Sequence, residues 1–153
     1  MSDLEALYQE IILEHNKHPR NFGHLAEANA TARGDNPLCV DKVTVWLELE
    51  GGVVKNISFE GAGCAISTSS ASIMTEAVKG KTVAEVEHLF HAFHTLLTGD
   101  PSVAAEPSPE LGKLAVFSGV REYPIRVKCA TLAWHTLQAA LKSGSAVGAV
   151  TTE

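Results

Sequence analysis

Apolar residues recur along the chain with two different periods. Leu4, Leu7, Tyr8 and Ile11 follow the i, i+3, i+4, i+7 spacing of a helix that packs one face, and Ser2 with Glu5 forms a capping box at its start. Pro19 ends that helix. After a stretch rich in Gly, Asn and Pro (residues 20–37) the spacing changes: Val43, Val45, Leu47 and Leu49 alternate with Lys42, Thr44, Trp46 and Glu48, which predicts a half-buried strand. Gly51-Gly52 is a hairpin signal, so the β-prone residues 53–59 should pair antiparallel with it and deliver the chain to Gly61-Ala62-Gly63-Cys64.

Helical spacing then returns. Small residues dominate 65–78, with Ile66, Ile73, Met74 and Ala77 on the buried side and Gly80 as the stop, which predicts a close-packed helix starting near Cys64. Thr82 and Glu85 make a second capping box, opening a helix whose Val83, Val86, Phe90, Phe93 and Leu97 share a face, closed by Gly99 and Pro101. Residues 100–109 carry Pro101, Pro107 and Pro109 and read as a loop, followed by a short helix over 111–118. Ala130, Ala133, Trp134, Leu137, Ala140 and Leu141 mark a last helix, beginning just after Cys129 and ending near Gly144. The small residues of 144–153 are expected to form a mobile tail.

Composition narrows the class. At 153 residues, 45% of them hydrophobic and 20% charged, with no internal repeat or linker, the chain is expected to form one domain with an ordinary core. No run approaches the roughly 20 apolar residues of a membrane helix. The opening MSDLEALYQE lacks the basic and apolar regions of a signal peptide, so a cytoplasmic protein without membrane partners is expected. A net charge of −6 and the absence of a basic run argue against nucleic acid as a partner.

The chemistry rests on three cysteines, which cannot all pair within one chain. Cys39 precedes the first predicted strand, and Cys64 and Cys129 precede predicted helices, where a thiol meets the positive end of the helix dipole. Asp41 follows Cys39 at the period-2 spacing that puts two side chains on one side of an extended chain. Three thiolates and a carboxylate suit tetrahedral zinc, and the same soft donors suit the iron of a cluster. The wide gaps between the cysteines match no zinc-finger spacing, so buried structural cysteines stand as the alternative on spacing alone. His88, His91 and His94 resemble a metal tract, but His88 and His91 point away from the Val83, Val86, Phe90, Phe93 face. They are read as solvated helix residues, and His15, His18, His24 and His135 as capping or surface residues. Gly61-Ala62-Gly63 lacks the Gly-Lys-Ser/Thr ending of a phosphate loop, and the hydroxyls of 67–72 lack a nucleophile elbow.

Four segments together, LYQEIILEHNKHPRNFG, NPLCVD, FEGAGCAISTSSASIMTEAVKGK and RVKCATLAWHTL, resemble the U-type iron–sulfur scaffold family (NifU N-terminal domain, IscU, SufU) from about Leu7 to Leu141. The resemblance implies an α+β fold: a small three-stranded antiparallel sheet with helices on one face and a metal site at one end. The third strand falls near Thr31 or Tyr123. It implies that Cys39, Asp41, Cys64 and Cys129 hold zinc or a transient iron–sulfur cluster, with a cysteine desulfurase and recipient iron–sulfur proteins as partners. Arg126 and Lys128 before Cys129, together with an inserted segment around 88–120, look like the SufU branch. That branch implies a zinc-bound sulfur acceptor, with Cys39 taking the persulfide sulfur. Val40 stands where the family usually has glycine, and a β-branched residue disfavours positive φ. The functional expectation is a scaffold or sulfur carrier rather than a classical enzyme. A zinc-dependent sulfurtransferase and a structural zinc-binding interaction module are the rival readings.

Overall fold

The computed structural model describes residues 3–36, 41–98, 109–143 and 146–151. In chain order the elements are α1 (Asp3–Lys17), β1 (Ala30–Asn36), β2 (Asp41–Glu50), β3 (Val53–Ala62), α2 (Ala65–Val78), α3 (Val83–Thr98), a 3-10 segment (Pro109–Glu122), α4 (Pro124–Ser143) and β4 (Ala146–Thr151). The Ser2–Glu5 capping box and the loop expected over 100–109 involve residues outside those described.

Strands β1, β2 and β3 form an antiparallel sheet in the order β3-β2-β1. The β2–β3 hairpin turns on Gly51 and Gly52, with φ of 58° and 77°; both central residues of such a turn need the left-handed region, which glycine enters without a Cβ clash. Alternation fixes the faces. Ala30, Ala32 and Gly34 of β1 and Val43, Val45 and Leu47 of β2 point inward, while Arg33 and Lys42 point to solvent. The third strand is therefore the one placed near Thr31, whose pairing partner is Trp46.

Two expectations are corrected. Ala146–Thr151, read as a mobile tail, form β4 parallel to β1, because β1 presents an otherwise open row of backbone donors and acceptors on that side. The last helix begins at Pro124 and not after Cys129. Proline is pre-set for the first helical position, where its missing N–H has no intrahelical partner to lose, and the β-branched Ile125 and Val127 masked this start.

The helices cover the inner face of the sheet. α4 lies across β1 and β2, while α2 packs on β3 between α1 and α4. α2 is buried nearly all round, which Ser67, Ser69, Ser70 and Ala71 permit because their small side chains let two helices approach it at once. The segment expected as an insertion folds onto this same core. α3 buries Val86, Leu89, Phe93, Leu96 and Leu97, the 3-10 segment buries Leu114 and Phe117, and Phe93 makes edge-to-face and tilted contacts with Phe117 and Trp134. Leu89 and Leu96 widen the expected face because the 3-10 segment covers a second side of α3.

Candidate metal centre

Asp41 is the first residue of β2 and continues the inward phase of Val43, Val45 and Leu47, so strand alternation drives a carboxylate into the core end of the sheet. It is fully buried. A carboxylate so placed requires partners. One is the backbone N–H of Cys64, which donates to Asp41 Oδ1 at 2.9 Å. The approach depends on Gly63, where an added Cβ would lie 2.5 Å from that same oxygen.

Cys64 is the N-cap of α2, with extended backbone (φ −72°, ψ 170°) and a sulfur that accepts the N–H of Ser67 at 3.4 Å. Its thiol is exposed, and its Sγ lies 3.9 Å from Asp41 Oδ2. This is the helix-start setting expected for it. Cys129 differs, because α4 has already run from Pro124 when it reaches this residue. Cys129 lies within the helix, 2% exposed, and the helix-dipole argument made for it from the sequence does not apply. What brings it to the site is packing: α4 crosses β1 and β2, and Ser70 Oγ of α2 donates to the carbonyl of Ala130, next to Cys129, at 2.5 Å.

The ligand atoms of Asp41, Cys64 and Cys129 all lie within 4.8 Å of one another, although they come from β2, the cap of α2 and the body of α4. Ligand edges in a tetrahedral zinc site with sulfur and oxygen donors are about 3.6–3.8 Å. The Asp41–Cys64 separation of 3.9 Å is already close to that, and the three donors, two sulfurs and a carboxylate, are of the types zinc takes, so the donor set fits a zinc-like ion. Cys39 and Val40 lie outside the described residues.

Sequence reasoning missed Asn36. It is the last residue of β1, fully buried, paired across the sheet with Asp41, and its Nδ2 lies 3.7 Å from Cys129 Sγ. The available signal was its phase: Asn36 falls on the inward register of Ala30, Ala32 and Gly34, where a polar residue needs a reason.

No histidine joins the group. His88, His91 and His94 are exposed on α3. His135 is half-buried with its ring centroid 6.4 Å from that of His94, and burial, then the neighbouring His94, lower its pKa. His15, expected at the surface or in a cap, is buried, with Nδ1 2.7 Å from Ser72 Oγ and Nε2 3.6 Å from Glu76. It faces α2 because α1 packs there.

A family model described as the NifU-like N terminal domain matches residues 7–130. The zinc-dependent sulfurtransferase SufU of Bacillus subtilis (strain 168) is 36% identical over 137 residues, which cover 90% of this chain and 90% of the relative. The iron–sulfur cluster assembly scaffold protein IscU of Thermotoga maritima is 38% identical over 136 residues, 89% of this chain and 93% of the relative. Among solved structures, the N-terminal part of a nitrogen-fixing NifU-like protein from Brucella abortus matches with a TM-score of 0.79 at 28% identity, covering 92% of this chain and 96% of that one.

Proposed function

Because the chain belongs to the NifU-like N-terminal domain family, we propose that it serves iron–sulfur cluster assembly in the cytoplasm, using Cys39, Asp41, Cys64 and Cys129 as metal ligands and Cys39 as the acceptor of sulfur from a cysteine desulfurase. The observation that carries this reading is the convergence of one buried carboxylate and two sulfurs from three separate elements within 4.8 Å. Cys39 is two residues from Asp41, so the chain itself keeps their Cα atoms within about 7.6 Å. A zinc ion held by this set would keep its thiolate ligands deprotonated at neutral pH.

The roles of the residues follow from their anchoring. Cys64 is held at a helix cap by the Ser67 N–H, and Cys129 sits in the body of α4, so neither can travel without moving a helix. Cys39 belongs to the four-residue connection between β1 and β2, whose ends are held by the Asn36–Asp41 pair. Cys39 is the acceptor in this reading because neither of the other two cysteines can travel without moving a helix. Its thiolate attacks the outer sulfur of the desulfurase persulfide, the desulfurase cysteine leaves as a thiolate, and the transferred sulfur remains on Cys39 as a persulfide. Recipient iron–sulfur proteins, with an iron–sulfur cluster as cargo, are the downstream partners of this role.

The test combines metal analysis of the gently purified protein with desulfurase turnover and mass analysis of each cysteine. About one zinc per chain is expected, with persulfide on Cys39 and loss of desulfurase stimulation in Cys39→Ser while thermal unfolding stays cooperative. Metal-free protein, or persulfide mainly on Cys64 or Cys129, would refute the assignment. Full stimulation by Cys39→Ser, with only lowered stability, would favour the structural zinc module. Assembly of a stable cluster without desulfurase stimulation would favour the scaffold over the acceptor.

A further inference from the structure

The geometry points to Asn36 as a positioning residue of the metal centre, a buried amide that donates a hydrogen bond to the Cys129 sulfur and thereby sets how strongly that sulfur binds metal. The inference rests on the metal-binding reading above.

Three observations converge on Asn36. Its Nδ2 lies 3.7 Å from Cys129 Sγ, within the longer reach of hydrogen bonds to sulfur, with both residues buried. It stands opposite Asp41 in the β1–β2 register, so one strand pair places the carboxylate ligand and the sulfur's amide neighbour side by side. Its position on the inward phase of β1 would ordinarily take an apolar residue, as Ala30 and Ala32 do. Which end of the amide faces the sulfur follows from chemistry, since a metal-bound thiolate has no proton to give and only the NH₂ end offers one.

An N–H donor on a thiolate withdraws electron density from it. It lowers the energy of the sulfur lone pairs, which sets the charge-transfer energy, while the orientation it imposes on the sulfur is what sustains affinity. It also holds the Cys129 side chain in the direction of Asp41 and Cys64. The sulfur of Cys64 has the backbone N–H of Ser67 in the equivalent role, so both sulfurs meet a nitrogen donor, in one case from a strand side chain and in the other from a helix start.

The experiment uses the full chain loaded with cobalt(II) and, separately, with zinc. Asn36→Leu keeps the branched heavy-atom shape and removes the donor. Its sulfur-to-cobalt charge-transfer band is expected to move to lower energy, and its zinc affinity, by chelator competition, to fall about 10–100-fold, the usual effect of losing a partner of a metal ligand. Ser58→Ala, which removes a buried hydroxyl of β3 outside the site, serves as the packing control and should leave the band in place. An unchanged band and affinity in a folded Asn36→Leu protein would overturn the inference. Should that variant not fold, the wild type decides: with ¹¹³Cd bound and ¹⁵N labelling, scalar coupling between cadmium and the Asn36 amide protons is expected, and its absence would overturn the proposal equally. Failure of the underlying reading looks different, because wild-type protein would then show no charge-transfer band and no cadmium signal at all.

Discussion

The carboxylate of Asp41 is held by what Gly63 lacks. A methyl group at position 63 would sit 2.5 Å from Asp41 Oδ1 and push the carboxylate away from the Cys64 N–H and from the two sulfurs. Gly63 itself is exposed, so the change acts through the Asp41 side chain. Gly63→Ala is therefore expected to lose zinc at least about tenfold more readily in chelator competition, and to cost the apo protein about 1–3 kcal/mol in unfolding because the buried carboxylate loses the Cys64 N–H. Asp41→Asn separates ligation from packing, because the amide oxygen can still accept from Cys64 N–H while the negative donor is gone. A comparable loss of zinc in Asp41→Asn, with unfolding preserved, checks that the carboxylate's charge is what matters. Unchanged zinc retention in both variants would remove Asp41 from the ligand set.

Among the elements, α3 shows how local chemistry starts a helix. Thr82 Oγ1 accepts the N–H of Glu85 at 3.1 Å, and the Glu85 carboxylate accepts the N–H of Thr82 at 3.0 Å, the reciprocal pattern anticipated from the sequence. The Thr82 backbone N–H, and after it the Thr82 hydroxyl, hold the Glu85 carboxyl below its usual pKa. Thr82→Ala is expected to cost about 1 kcal/mol in urea unfolding, with zinc retention unchanged, since the cap satisfies orphan helix donors and touches no site residue. A loss of metal in Thr82→Ala would mean that α3 is coupled to the site, which its packing on the 3-10 segment and α4 does not predict. α4 behaves differently: it carries Cys129 in its body, so its seat on the sheet is part of the site. Gly34 of β1 makes that seat, because a side chain there would meet Thr136 and Leu132 of α4.

The molecule as a whole carries an acid-sensitive element in the α1–α2 junction. Burial lowers the pKa of His15, with Arg20 acting in the same direction and Glu76 opposing it. Ser72 Oγ accepts the N–H of Arg20 at 2.8 Å, which leaves the hydroxyl proton for His15 Nδ1 and the ring's own N–H facing Glu76. The neutral ring is thus the one the fold accommodates. An unfolded histidine titrates near 6.5, so as pH falls below that value the unfolded chain binds a proton that the folded chain refuses, and stability declines. Above 6.5 neither state is protonated there and the contribution is flat. His135 acts in the same direction. Urea midpoints measured from pH 8 to pH 5 should fall on the acid side of 6.5, and less steeply in His15→Gln. An equal slope in that variant would place the acid sensitivity elsewhere.

Much of this was written in short-range pattern. Period-2 alternation set β2 and the inward phase of Asp41, paired capping residues set the start of α3, and Gly51-Gly52 set the hairpin, because each depends only on residues within a few positions. Pro124 likewise marks the true start of α4, although Ile125 and Val127 spoke for extended chain. The tertiary structure alone decided which faces meet. That Cys129 comes to Asp41 and Cys64, that Asn36 stands beside it, that His15 is enclosed against α2, and that Ala146–Thr151 add a parallel strand to β1 all depend on contacts between residues far apart in sequence. Alternation and helical period specify the face a residue presents, whereas the partner of that face is chosen by the packing of the whole core, which no local window contains.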